Sequence, residues 1–386
     1  MAISLRILLG LIMVCAMAFG FFHHLALGEE YLFNRLHIFL FNLVAGCTLV
    51  IVYSLGEKNF TKESAAYFAV ALGFGACAFY EIYAGAVVLA LVLAAIVEKV
   101  RQGRFSLFPW DFFSPSAPVS EKFKHAALLC LSIGLMISAV SMVNHEFVHI
   151  FDIPKLTLDL FFLGFSFPLS LITFSAMFKR MEPLENPAYR VIQNVIFWVV
   201  NLGVITFFVF ILAGNNTAEF VTSTVLYFTI LLAFWLLTRA GSRDQTMAFF
   251  TSGLCFLLFT AVTGLGYIFL TFFTNYEGWP GFGNFMLVTH TFLSLYGWNL
   301  SGLSVIFRDE GFPLRIPVKK TIGLHWVTVA VLAPLGYYLA PAAPLAVAGF
   351  ALFMAAVMAA PSLREACAPL VAHPEPREGE GAYNPR

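Results

Sequence analysis

One titratable side chain lies inside a stretch long and apolar enough to cross a bilayer: His290, in Gly283 to Arg308 (GNFMLVTHTFLSLYGWNLSGLSVIFR). About 20 residues suffice for such a crossing. A histidine there costs free energy unless it faces protein, water, a metal or a cofactor. Thr289, Thr291, Ser294, Gly297, Asn299, Ser301, Gly302 and Ser304 surround it with small or polar groups that admit a second helix or a flat ligand. A second pattern, His145-Glu146-Phe147-Val148-His149, reads H-E-x-x-H. On an α-helix its histidines face one way and can grip zinc while the glutamate activates water. Asp152 and Pro154 follow closely, so the second histidine is expected to leave the helix, and Asp152 and Asp159 are the nearest further ligands. The motif leaves three readings open. It is a peptidase, a metal or haem-edge site held by His145 and His149 at the outer face, or a solvated helix end.

These residues need a membrane scaffold. Of 386 residues, 60% are hydrophobic and 11% charged, whereas soluble domains carry about 25% charged residues. The composition therefore describes a polytopic membrane protein. Twelve apolar segments can be drawn: 4–27, 33–55, 64–80, 82–98, 125–146, 157–178, 190–213, 219–238, 246–274, 283–307, 321–340 and 342–361. The third and fourth are short and need a tight turn near Tyr80–Ala84. With twelve helices and the N-terminus inside, Arg35 and Lys155 are the two cations in outer connections, and the other 20 of 22 lie inside. Merging any two segments would move a basic loop to the wrong side, so the positive-inside rule selects an all-α bundle of twelve transmembrane helices with both termini cytoplasmic. Residues 1–363 form the membrane domain. Residues 364–386, rich in Pro, Glu and Gly, are expected to be a disordered cytoplasmic tail. Phe105, Phe108, Pro109, Trp110, Phe112 and Phe113 suit a loop lying in the inner interface. The apolar N-terminal run reads as a retained helix.

On this topology six of nine histidines (His23, His24, His37, His145, His149 and His290) gather toward the outer face, while His125, His325 and His373 lie at or near the cytoplasm. Helices 2 and 10 both descend from outside. His37 stands 19 residues above Gly56 and His290 stands 18 above Arg308, which is about 27–29 Å in each case. Two histidines at one level on two helices are what axial ligation of one haem iron requires. Arg35, near His37, is placed to meet a haem propionate. The six cysteines stand singly and no CxxCH occurs, so covalently attached c-type haem is excluded.

Twelve helices, one histidine early in helix 2 (RLHIFLFN) and one in helix 10 (VTHTFLSLYGW) resemble subunit I of the haem-copper oxidases, and the related NnrS proteins of nitric-oxide response. In that family helices 2 and 10 supply the axial ligands of the low-spin haem, and the resemblance carries this role onto His37 and His290. The chain departs from the family elsewhere. Val288 stands where a second helix-10 histidine is expected, LFFLGFSFPLSLITF carries no copper-ligating histidine, and the histidine pair around helix 7 is missing. The resemblance thus implies a chain that keeps the electron-transfer haem and lacks the oxygen-reducing copper centre.

The function expected is that of an integral membrane b-type haem protein with a low-spin bis-histidine iron near the outer face. It would act in electron transfer or in a response to nitric oxide or oxygen, and, if an enzyme, as an oxidoreductase subunit. Haem b, with an additional metal ion at the outer face as a further candidate, is the cofactor. The lipid bilayer of the inner (cytoplasmic) membrane and a quinol or redox subunit are the partners, and nucleic acid is not one. The alternatives are a twelve-helix secondary transporter, though no half-to-half symmetry or broken helix pair is evident, and a membrane zinc metallopeptidase using residues 145–149. Asn42, Asp159, Asn194, Asn201 and Asn299 read as links between helices, Glu81 as a solvated turn residue, and Gly73, Gly75, Gly264 and Gly266 as sites of close packing.

Overall fold

A computed structural model describes residues 1–25, 33–150, 165–181, 186–239, 244–273, 281–308 and 311–362. Among them are twelve helical rods and no strand, only one isolated bridge between Leu314 and Ser362. The first five rods are α1 (Ile3–Phe19), α2 (Phe33–Ile38, running on through Phe39–Gly46 into Cys47–Leu55), α3 (Lys62–Phe79), α4 (Tyr83–Gln102) and α5 (Val119–Val143). Next come α6 (Phe167–Met181), α7 (Pro187–Ala213), α8 (Asn216–Arg239) and α9 (Gln245–Phe273). The last three are α10 (Phe282–Phe292, Leu293–Asn299, Leu300–Arg308), α11 (Val318–Trp326, Val327–Leu332, Ala333–Tyr338) and α12 (Ala343–Ala359).

Local chemistry sets the ends of several rods. Thr61 and Ser64 form a reciprocal capping box at the start of α3, satisfying donors that the first turn would otherwise leave unpaired. Asn186 caps α7 and Pro187 fills its first position, where a missing N–H is harmless. Gly56 and Gly214 close α2 and α7 with φ of 74° and 67°, a conformation that costs a glycine little. The expected tight turn between the third and fourth rods is present, with Glu81 at φ 57°.

Nine rods are long and apolar enough to cross a membrane among the described residues; α3, α6 and α10 are the other three. The chain is therefore a multi-pass membrane protein. Of its most apolar window, α2 buries 78% and α7 only 17%, so α2 is central and α7 is at the edge. The outward faces carry residues such as Val191, Leu202, Ile205, Val221 and Phe228, all exposed, as a lipid-facing surface requires. Rods α4, α5 and α6 pack in sequence, as do α7, α8, α9 and α10, while α1 packs on both α2 and α12 and closes the bundle.

The start of the chain, Lys58, Arg104, Lys124, Lys179, Arg308 and Ser362 all line one cavity. Ala2 N donates to Lys58 O at 2.7 Å, and Arg308 reaches the carbonyls of Met358 and Ala360. Residues from both ends of the described chain, and from the basic connections of α2–α3, α4–α5 and α10–α11, thus share one end of the bundle. The segment 151–164, with Asp152, Pro154, Lys155 and Asp159, and the tail 363–386, with Cys367 and His373, lie outside the described residues.

Three rods contain π-helical stretches within their length: Phe39–Gly46 in α2, Leu293–Asn299 in α10 and Val327–Leu332 in α11. Such stretches are rare and cluster at functional sites. Each begins two or three residues after a histidine, namely His37, His290 and His325.

Candidate functional site

His37 lies at the first of these junctions and is 8% exposed. Its Nδ1 is 2.7 Å from the carbonyl oxygen of Ala16 in α1. A carbonyl can only accept, so Nδ1 carries the proton and Nε2 the lone pair. Gly20, one turn beyond Ala16, makes this approach possible. A Cβ there would stand 2.8 Å from His37 Nδ1.

The same construction recurs at His290. Its Nδ1 is 2.8 Å from the carbonyl of Thr260 in α9. Gly264, again four residues after the accepting carbonyl, would place a Cβ 2.9 Å from Nδ1. Each ring is thus fixed in the tautomer whose Nε2 can bind a metal, with the second-shell contact to a backbone carbonyl that ligating histidines usually make. Among the described residues no hydrogen bond reaches either Nε2.

The two rings do not face one another. On α10, Met286 and His290 face α9, where Gly266 and Gly264 receive them. Phe292 stacks on Phe21, just past the end of α1, at 5.9 Å, and Tyr296 places its hydroxyl 3.0 Å from His37 Nδ1. Two helical residues turn the chain by about 200°, so Phe292 and Tyr296 occupy the side of α10 opposite His290. A helix with its side chains is about 10–12 Å across, far more than the ~4 Å that two nitrogens on one iron allow when each bond is about 2 Å. The expectation of a single bis-histidine iron is corrected on this ground. Equal depth along two helices says nothing about the direction around them.

Arg35 is also directed elsewhere than toward a propionate. Its Nη1 lies 3.1 Å from the Tyr83 hydroxyl and 3.5 Å from Glu81, tying α2 to the α3–α4 turn. Glu81 is therefore an ion-pair partner, although its side chain is still 56% exposed. At the end of α5, Asn144–Val148 winds as a π-turn and His149 has left-handed φ of 52°, so the second histidine leaves the helix as its neighbours implied. His145 turns its Nδ1 to Glu146 at 2.8 Å with a side chain 59% exposed, and the helical zinc-peptidase geometry is not formed. No group of three metal-binding side chains occurs among the described residues.

Sequence reasoning placed His325 near the cytoplasm and gave it no role. It is 1% exposed, stacks on Phe353 at 4.1 Å, and donates from Nε2 to the Tyr296 carbonyl at 2.6 Å. Tyr296 thus joins His37 and His325, while its ring packs against Phe41 and Phe350. The signal available in the sequence was the position of His325 within an apolar run after Lys319 and Lys320.

No protein family, curated protein or solved structure matches the chain. The site stands on its own geometry.

Close packing around α10 does follow the small residues that mark it. Gly302 lies against Thr173 of α6, and Gly297 leaves room for Phe256 of α9, whose Cγ would be 2.5 Å from an added Cβ. Asn299 links α10 to α6 by accepting from Ser170 Oγ at 2.7 Å and donating to Ser166 O at 3.3 Å. The loop between α4 and α5 is held by buried Arg101, which donates to His125 Nε2 at 2.8 Å and to the carbonyls of Ser106 and Leu107. His125 Nδ1 in turn meets Asp111 at 2.8 Å. Leu107, Trp110 and Phe113 project outward at 73%, 67% and 62% exposure, in keeping with a loop that lies in the interface.

Proposed function

We infer that the chain is an integral membrane haem protein of the inner membrane, in which His37 and His290 offer separate axial imidazoles on opposite sides of α10. The observation that carries this reading is the duplicated device of carbonyl, glycine four residues on, and imidazole. A histidine that only needed burial would gain from satisfying both nitrogens. Here the same nitrogen is anchored twice and the same nitrogen is left as a lone pair twice. The iron of a bound haem would supply one-electron transfer or the binding of a diatomic gas, with haem b as the cofactor and a quinol or redox subunit as the electron partner. The chain's own residues orient each imidazole, fix its tautomer, and set beside His37 the ring of Tyr296, which is itself packed against Phe41 and Phe292. All twelve rods would cross the membrane, with both ends cytoplasmic.

Absorbance spectroscopy of the purified protein tests the reading. Wild type should show a Soret band, His37→Ala and His290→Ala should each remove a different part of it, and the double variant should remove all of it. His125→Ala should leave the spectrum unchanged. A wild type with no Soret band after expression with ample haem would sink the proposal.

A further inference from the structure

Arg101, at the end of α4, finds an acceptor for every N–H it has. Nε and Nη2 meet Glu98 at 3.0 and 2.7 Å, and Nη2 also reaches the Leu107 carbonyl at 3.0 Å. Nη1 serves the Ser106 carbonyl at 2.9 Å and His125 Nε2 at 2.8 Å. A guanidinium carries five donors and no acceptor, so His125 Nε2 must hold a lone pair. The single ring proton is on Nδ1, which gives it to Asp111 Oδ1 at 2.8 Å. The ring is wholly buried, stacked on Phe105 at 4.4 Å and edged by Phe112 at 5.0 Å. Its place in the network is that of a neutral imidazole.

Three side chains thus fasten the loop 103–118. Arg101 holds the carbonyls of Ser106 and Leu107, and His125 holds Asp111. Lys122 Nζ donates to the Phe112 carbonyl at 3.1 Å and to Asn194 Oδ1 of α7 at 2.7 Å. Among the described residues the charged groups about His125 are Arg101 and Glu98 from α4, Asp111 from the loop, and Lys122 from α5 itself, which faces Asp111. Glu98 is occupied by Arg101 and by Ser132 Oγ at 2.5 Å. Glu121 and Lys124 pair with one another, and Glu121 also with Arg104 at 3.4 Å. Rods α6 and α7 turn Phe174, Phe178 and Phe197 against Phe123 at this end of α5, and none of these rings titrates. Histidine is the side chain whose charge changes between about pH 5 and 8.

We propose that loop 103–118 is a strap released by acid, with neutral His125 as its catch. A second ring proton would go to Nε2, where Arg101 now donates. It would set two donors head to head, leave a buried Arg101 N–H without an acceptor and add a second cation beside the first. Asp111 can keep its bond to Nδ1, so the loss falls on Arg101 and on the Ser106 and Leu107 carbonyls that the same guanidinium holds. The fastened loop requires the neutral ring, so fastening is complete on the alkaline side and is lost as pH falls. Leu107, Phe108, Trp110 and Phe113, already turned outward, would then move free of the bundle. Neither His37 nor His290 takes part, so the strap stands or falls independently of the haem reading.

A nitroxide on Leu107→Cys of the full chain, cysteine-free elsewhere and held in neutral detergent, reports loop motion by its paramagnetic-resonance line shape. From about pH 8 to about pH 5, the range in which histidine titrates, a mobile component should grow at the expense of a restricted one, and the change should reverse. Around the midpoint the ratio of the two should rise about tenfold per pH unit, as uptake of one proton requires. His125→Gln puts a donor and an acceptor in one neutral amide, and should keep the restricted line shape across the range. Asp111→Asn still accepts from Nδ1 but lacks the charge that offsets an imidazolium, so its midpoint should lie about one pH unit or more lower. A label at position 215, at the other end of α7 from Asn194, should not respond. A parent line shape that acid leaves unchanged, an acid response kept in His125→Gln, or an equal response at position 215 overturns the proposal. A His125→Gln label that is mobile across the range leaves the decision to Asp111→Asn, whose unmoved midpoint likewise overturns it.

Discussion

The Tyr296 hydroxyl stands 3.0 Å from His37 Nδ1, across the interface between α10 and α2. Because Nδ1–H is already directed to the Ala16 carbonyl, the tyrosine oxygen can only share that proton. The hydroxyl contributes one modest bond and the ring contributes the packing. Tyr296→Phe should therefore lower stability by about 1 kcal/mol, whereas Tyr296→Ala should cost about 3–5 kcal/mol. Chemical denaturation in detergent measures both. Equal losses would show that the ring is not what holds the two helices together.

The glycines beside the two imidazoles give a sharper test of how they are held. Gly20→Ala and Gly264→Ala should push each ring from its carbonyl, since the added methyl would sit 2.8–2.9 Å from Nδ1. Each variant should fold and lose the part of the haem spectrum assigned to its histidine. Gly73→Ala, whose Cβ would meet Leu89 at an ordinary 3.4 Å, is the control and should bind as wild type. Unchanged spectra in the first two variants would show that the anchored geometry is unrelated to haem.

Gly302 lies so close to Thr173 that a methyl group has no room. Gly302→Ala should cost about 1–3 kcal/mol through forced separation of α10 and α6. The paired change Gly302→Ala, Thr173→Ser should recover part of that loss. A neutral single variant in a stability measurement would place the two rods further apart than the structure has them.

Buried Arg101 has His125 as an acceptor and Glu98 as its ion-pair partner. His125→Ala removes one side of that network and frees Asp111. It should lower stability by about 1–3 kcal/mol, as leaving buried hydrogen-bonding groups without a partner does, and expose residues 103–118 to protease. A loop as resistant as in wild type would contradict the fastening role of His125.

Membrane orientation is read by thiol labelling of single cysteines placed in an otherwise cysteine-free background. Position 215 should react from the outer side, and positions 104 and 319 only after the inner side is opened. Position 104 reacting from outside would reverse the bundle and place the cavity beside Arg104 on the other face.

Rods and their order were legible because hydropathy and charge act along the chain. The tight turn at Glu81, the departure of His149 from its helix and the basic residues gathered at one end all follow from local composition. The directions of side chains around each rod were not legible. An α-helical reading of depth put His37 and His290 level with one another, and depth alone carries no angular information. The burial of His325 was hidden for a related reason. Counting from Lys319 and Lys320 gives only its depth, while its burial depends on Phe353 and Tyr296 from two other rods. Arg35 shows the same limit: its proximity to His37 in the sequence concealed a partner 46 residues away.

The π stretch at Leu293–Asn299 means that α10 keeps two different angular registers. A π-turn holds more residues than an α-turn, so the phase of the wheel slips between Phe292 and Leu300. In a substitution scan of the whole rod, the tolerant positions before the stretch would recur every 3.6 residues, and so would those after it, but the second series would be out of step with the first. A single wheel drawn through all of α10 would therefore assign lipid-facing and protein-facing positions correctly at one end and wrongly at the other. An aligned relative lacking the extra residue would seem to carry a one-residue deletion while presenting the same surface.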